Sequence, residues 1–198
     1  VKPLLSEVLM LVKESAIAKS EVLNCTPYEA LMDEYTPGLR QETVNPIFSD
    51  IERFLPNFLS AVLEKQAMDK KPSIPRGPFP FDQQQGLGQL LMETLGFDFN
   101  QGRLDVSLHP FSSGTPDDLR ITTRYNEHDF MPGLMGILHE TGHALYEKNL
   151  PKEWRRQPVG EARGIDIHES QSLLIEMQAC RSKEFLSYAI PLMKEKFN

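Results

Sequence analysis

A mainly α fold with a small antiparallel β-sheet is what this sequence predicts. Apolar residues recur at three- and four-residue intervals over most of the 198 positions, two short runs alternate apolar with polar residues, and a proline-rich stretch interrupts the helical pattern.

Leu4, Leu5, Val8, Leu11, Val12 and Ile17 keep helical spacing and predict an amphipathic helix from Leu4 to Leu23. Lys2, Ser6 and Glu7 interrupt its apolar start and no small-residue cleavage pattern follows, so it does not read as a signal peptide. Thr26-Pro27 offers a capping hydroxyl with proline at the first helical position, and Thr36-Pro37-Gly38 stops the short helix that results. Ile47, Ile51, Phe54, Leu55, Phe58 and Val62 share one face of a further helix over roughly Val44 to Met68. Pro72, Pro75, Pro78 and Pro80 exclude regular structure, so an extended connector is expected at about 69–81, with Ile74, Phe79 and Phe81 able to pin it to a surface.

The next helix, about Gln83 to Leu95, ends at Gly96. Arg103 to Leu108 and Leu119 to Tyr125 alternate as pleated strands do, and with Ser112-Ser113-Gly114-Thr115-Pro116 read as the turn between them they are expected to pair antiparallel. Helix returns from Met131 to Lys148 and from Ile167 to about Lys194. Met131, Met135 and Met193 sit at helical spacing among apolar residues and read as core filling. Trp154, in a charged loop, is compatible with covering a cleft or with lying on the surface.

The chain is 40% hydrophobic and 25% charged, the composition of an ordinary globular protein, which gives no reason to expect disorder or a membrane protein. A net charge of -7, with Lys and Arg scattered and forming no stripe, argues against nucleic acid as a partner. Cys25 and Cys180 have no CxxC spacing, which favours a reduced, cytoplasmic setting over one long-range disulfide. A first residue that is Val and a last residue, Asn198, that follows a helical run lead us to expect that residues 1–198 form a single portion of a longer protein.

The chemistry concentrates in Gly136-Ile137-Leu138-His139-Glu140-Thr141-Gly142-His143, an HExxH pattern inside a predicted helix. Residues four apart on a helix share a face, so His139 and His143 can reach one tetrahedral zinc ion. Glu140 lies beside the open coordination position, placed to take a proton from a water held there, which makes it the candidate general base. Gly136 and Gly142 flank the histidines and would let another element approach the bare backbone. Chance occurrence on a solvated helix face is the competing explanation, and the helical setting argues against it.

Two histidines leave a metal site incomplete. The elongated metzincin pattern is excluded, because Tyr146 and Asn149 stand where it needs Gly and His. The remaining donors downstream are Glu147, Glu161, Asp166, His168 and Glu169. Neighbours on a helix point about 100° apart, so His168 and Glu169 should not both bind. Spacing favours Glu169 over His168 by a small margin, and a helix start that prefers acidic residues explains the same pair without a metal.

His109-Pro110-Phe111, the DxRxT segment Asp118-Leu119-Arg120-Ile121-Thr122, HExxH, and His168-Glu169-Ser170-Gln171 occur in one order along the chain. In this the sequence resembles the carboxypeptidase Taq family of zinc metallocarboxypeptidases, from around Pro27 to the end. The resemblance implies a helical metallopeptidase with a small sheet beside the active-site helix, of which this is the central, catalytic portion. It implies Glu169 as third zinc ligand, His168 in support, removal of C-terminal residues from peptide substrates, and a homodimer. It implies also that two family motifs, IRxxAD and GxxQ, follow HESQ beyond these residues, the arginine of the first being the family's partner for the substrate carboxylate.

Arg120, Asp118 and His109 are the candidate substrate contacts within this chain. An ion pair between Asp118 and Arg120, which share a strand face, is an equal alternative for Arg120, and closure of a turn is the stronger alternative for His109. Zinc is the default ion for two His and one Glu, with cobalt and manganese able to use the same donors. Two other readings stand beside the carboxypeptidase: a helical zinc oligopeptidase, and a zinc-binding piece that is inactive alone because the later motifs lie outside it.

Overall fold

The structure is a computed structural model that describes residues 1–197. It divides into two compact units, Val1–Ser73 and Ile74–Asn198, with the boundary inside the proline-rich run.

The first unit is helical: α1 (Lys2–Leu23), α2 (Pro27–Tyr35) and α3 (Gln41–Met68). The turn into α2 is built as its sequence predicts. Thr26 Oγ1 accepts from the Glu29 amide at 3.2 Å, while the Glu29 carboxylate accepts from the Thr26 amide at 3.0 Å and from the Gln41 amide at 2.9 Å. One carboxylate thus ties together the starts of α2 and α3. Ala16 and Ser20 of α1 and Ala30 of α2 are buried, whereas α3 buries no residue and exposes Ile47, Phe48, Ile51, Phe54, Leu55 and Phe58.

The second unit opens with the end of the connector. Phe79 is the residue that pins it: its ring packs on Phe130 and Phe197 at centroid distances of 4.8 and 5.0 Å, and its amide donates to Glu127 O at 2.8 Å. Ile74 and Phe81 are exposed. There follow α4 (Phe81–Thr94), closed by Gly96 at φ 99°, the strands β1 (Gly102–Val106), β2 (Phe111–Thr115) and β3 (Asp118–Thr123), then α5 (Met131–Lys148), α6 (Ile165–Leu173) and α7 (Lys183–Phe197).

The sheet departs from expectation. Its order is β1-β3-β2, with β1 and β3 parallel and β2 and β3 antiparallel, so it is mixed. The stretch read as a turn is itself a strand, and the tight turn is Pro116-Asp117. The polar, glycine-containing FSSGT run hides its strand character because little of it is buried. A third strand supplies the reversal that lets β3 return parallel to β1. The C-terminal helical run is also broken: a π-helical turn, Leu174–Ala179, closed by the Cys180 amide on Ile175 O at 2.8 Å, leads out of α6 before α7 begins.

Helix α5 is the centre of this unit. Leu134, Met135 and Leu138 pack with Leu87 and Leu91 of α4 and with Phe79, Phe130 and Cys180, and Met131 and Met193 flank this cluster as the expected core filling. Ile137 and Ala144 pack on Met92, Phe97, Leu104, Leu119 and Ile121. With two sides so occupied, a third carries His139 and His143 toward α6, which packs along α5. Among the described residues no helix is long and apolar enough to cross a membrane.

Candidate metal centre

His139 and His143 stand one turn apart on α5, and Glu169 faces them from the second turn of α6. Glu169 Oε2 is 3.2 Å from His143 Nε2, and Oε1 is 3.8 Å from His139 Nε2. Among the described residues these three form the one group of His, Cys, Asp or Glu whose donors lie close enough to hold a metal, all within 4.8 Å of one another. An ion with bonds of about 2.0–2.2 Å in tetrahedral arrangement keeps its donors roughly 3.3–3.6 Å apart, and the two Glu169 contacts, 3.2 and 3.8 Å, bracket that range. Two imidazole nitrogens and a carboxylate fit zinc chemically.

Close approach of the helices depends on Gly142. A Cβ there would meet Ser172 Cα at 2.6 Å and Gln171 O at 2.7 Å, so bare backbone is required where α5 and α6 touch. Gly136 has no such role, since its Cβ would meet ordinary contacts at 3.5 Å and beyond.

Both imidazoles are held from behind. His139 Nδ1 lies 3.1 Å from Glu176 Oε2, and Arg181 Nη2 donates to Glu176 Oε1 at 2.6 Å. His143 Nδ1 lies 2.6 Å from His168 Nδ1, whose Nε2 is 2.8 Å from Glu147 Oε1. Burial pushes the His143 pKa down, with His168 and His139 adding to the effect, so the neutral ring that a metal needs is favoured.

Glu140 is 8% exposed and its carboxyl is pushed up by burial. His139, His109 and the Ser112 amide of β2 oppose that rise, and Glu169 adds to it. Glu140 and His139 share a groove of about 610 Å³ with His109, Pro110, Glu176 and Arg181.

Of the candidate substrate contacts, His109 is thus brought to the groove and Asp118 and Arg120 are not. Leu119 and Ile121 point into the cluster that contains Ile137 and Ala144 of α5, so Asp118 and Arg120, one position out of phase, point from the opposite face of β3. Arg120 Nη2 donates to Asp118 Oδ2 at 2.9 Å, and Arg103 and Asp105 form a similar pair on β1, where Arg103 is in register with Arg120. Asp118 and Arg120 thus form the ion pair that was one of the two expectations for them. Thr122 has a separate job: its hydroxyl accepts from the Phe111 amide at 3.1 Å and pairs with Ser107 Oγ at 2.8 Å. DxRxT therefore anchors the His109-Pro110-Phe111 turn that forms one edge of the groove.

The profile of the Carboxypeptidase Taq (M32) metallopeptidase family matches residues 1–198. The chain belongs to this family. It is 39% identical over 209 residues to thermostable carboxypeptidase 1 of Thermus thermophilus, covering 98% of this chain and 40% of that protein. It is 35% identical to carboxypeptidase 1 of Bacillus subtilis, covering 80% of this chain and 32% of that one. The solved structure of Trypanosoma cruzi metallocarboxypeptidase 1 superposes with a TM-score of 0.91 at 43% identity, over 98% of this chain and 41% of that one. A Pyrococcus furiosus carboxypeptidase structure superposes with a TM-score of 0.83 at 33% identity, over 98% and 39%. The chain spans about 40% of the length of the first of these M32 relatives.

Membership in a metallopeptidase family implies a divalent metal. Around its donors the sequence reading missed Glu176, Arg181 and the Ser112 amide, and it weighed Glu147 only as a ligand. Glu176 had a signal: it lies seven residues after Glu169, hence near the same helix face. Arg181 and Ser112 lie on separate elements, and no spacing rule links them to the HExxH helix.

Proposed function

We infer that this chain carries the metal-binding and water-activating core of a zinc-dependent carboxypeptidase and forms a single catalytic portion of a longer M32 enzyme. The convergence of His139, His143 and Glu169 beside the buried Glu140 supports this reading above any other observation. In it the first three bind zinc, or cobalt or manganese where these are supplied. Zinc, when bound, supplies Lewis acidity that brings a water's pKa to about 7 and polarises the scissile carbonyl.

Glu140 removes the proton of the attacking water and delivers it to the departing amine, so no covalent intermediate on the protein is needed. The groove that it shares with His109 receives the C-terminal end of a peptide.

Metal analysis by mass spectrometry and product analysis test this together. About one zinc per chain is expected, and its loss in Glu169→Ala. Hydrolysis of a peptide with a free C-terminus and none of its C-terminal amide supports the exopeptidase, whereas cleavage of both assigns an oligopeptidase. A second reading is favoured by one observation: Arg120, the arginine of DxRxT, is paired to Asp118 on the far face of the sheet. On that reading residues 1–198 bind zinc without turnover, and a polypeptide extended to the length of its relatives restores hydrolysis. A cytoplasmic setting, supported by the free Cys25 and Cys180, and a homodimer complete the proposal.

A further inference from the structure

The metal-facing histidines are backed by different partners, and donor and acceptor chemistry fixes the direction of each chain of hydrogen bonds. A carboxylate oxygen only accepts. Glu147 Oε1 therefore takes its 2.8 Å hydrogen bond from a proton on His168 Nε2. A neutral His168 then has a bare Nδ1, which at 2.6 Å can only accept from His143 Nδ1–H. A neutral His143 then has a bare Nε2, open to a metal that Glu169 Oε2, 3.2 Å away, also faces; without the metal that carboxylate is itself an acceptor that competes for the ring proton. On the other side Arg181 donates to Glu176, whose second oxygen accepts from His139 Nδ1–H and leaves His139 Nε2 bare.

We propose that Glu147 and Glu176 are positioning residues that set both imidazoles in one tautomer, protonated at Nδ1 and open at Nε2, with His168 relaying the choice from Glu147 to His143. Neither carboxylate touches the metal. Glu147 acts from the last turn of α5, one turn beyond His143 and across the His168 ring, while Glu176 acts directly from the π-helical turn. That turn sets Glu176 behind His139 while Glu169, on the same helical run, lies in front of it. Orienting partners of this kind typically change metal affinity 10–100-fold when removed. The inference rests on the reading of His139, His143 and Glu169 as the metal ligands.

Zinc affinity by chelator competition and nitrogen-15 NMR of the histidine rings, both on the full chain, test it. Glu147→Leu removes the acceptor and is expected to weaken zinc binding about tenfold; Glu147→Lys presents a donor to His168, reverses its tautomer, and is expected to weaken binding toward about 100-fold. Glu147→Gln keeps an accepting oxygen and should stay within about threefold of the native chain. The Glu147 side chain is 32% exposed, so these variants disturb little packing, and the Gln variant guards against a folding artefact.

In the zinc-loaded native chain the spectra should show His143 protonated at Nδ1 and His168 at Nε2. Native-like affinity in both the Leu and Lys variants, or a His168 without a proton at Nε2 in the zinc-loaded chain, overturns the proposal. Glu169→Ala and His139→Ala are the controls. If these retain native zinc affinity, the metal-centre reading itself falls and this inference falls with it. If they lose zinc while Glu147→Leu and Glu147→Lys keep it, the positioning role alone is overturned.

Discussion

Glu140 shows how much a single residue's setting can determine. Its neighbours on α5 are core residues, Leu138 at 0% and Thr141 at 0% exposure, yet its own carboxyl sits at the groove with one donating partner, the Ser112 amide. Replacing it by Gln preserves volume and that hydrogen bond but removes the base. Glu140→Gln should retain zinc at native stoichiometry and lower kcat/KM about 10²–10⁴-fold in whichever polypeptide turns over peptide. Loss of zinc in this variant would instead make Glu140 a ligand or a structural support.

Glu29 offers a second residue-level prediction, from the capping box. The Thr26 and Gln41 amides hold its carboxyl below the ordinary value of 4.5. Because the folded pKa is the depressed one, the stabilisation is fully present above that ordinary value and fades as pH falls through the lower folded value. The Thr26 and Gln41 amide resonances should therefore move together in an acid titration below pH 4.5, and Glu29→Ala should abolish that shared movement. Amides that titrate independently would separate the two contacts.

At the level of elements, the α5–α6 crossing decides whether three donors meet. Gly142→Ala forces the α6 backbone at Gln171 and Ser172 away, which carries Glu169 with it. The expected cost is about 1–3 kcal/mol of stability, as for overpacking elsewhere, together with weaker zinc binding. Gly136→Ala meets only ordinary contacts and removes a helix-weakening residue, so it should be neutral or stabilising by up to about 1 kcal/mol. Urea midpoints and zinc titrations of the two variants check both; equal effects would refute the close-approach argument.

These two glycines also mark the limit of what sequence makes legible. Both flank the histidines and looked equivalent, because spacing along one helix cannot say which position a second helix will touch. Helical periodicity located α1, α3, α4 and α5 to within a few residues, since each has an apolar face and recognisable ends. β2 escaped because Ser112, Ser113 and Gly114 carry no alternating pattern, and its pairing with β3 comes from tertiary context. The π-helical turn escaped because Leu174–Ala179 has ordinary helical composition. His139 and His143 were legible from i,i+4 geometry; Glu169 needed the family resemblance, Glu176 had only its spacing of seven from Glu169, and Arg181 needed the folded structure.

For the whole molecule, the division at Ser73 and Ile74 separates structure from chemistry. Every donor proposed to hold the metal lies in the second unit, and so do the residues behind the donors, His168, Glu147, Glu176 and Arg181. That unit also contains the two apolar clusters described above, from Phe79 to Phe197, and every residue named in them lies after position 74. A polypeptide starting at Ile74 should consequently fold cooperatively and bind zinc within about threefold of the full chain, an effect well below the 10–100-fold expected from disturbing an orienting partner. The first unit, whose α3 buries no residue and presents a row of exposed Ile and Phe side chains, should by contrast gain stability only when those side chains are covered. Circular dichroism and chelator competition on residues 74–198 decide the point. A polypeptide that stays helical but binds zinc more than tenfold less tightly would show that the first unit shapes the metal centre, and the chemistry would then belong to both units together.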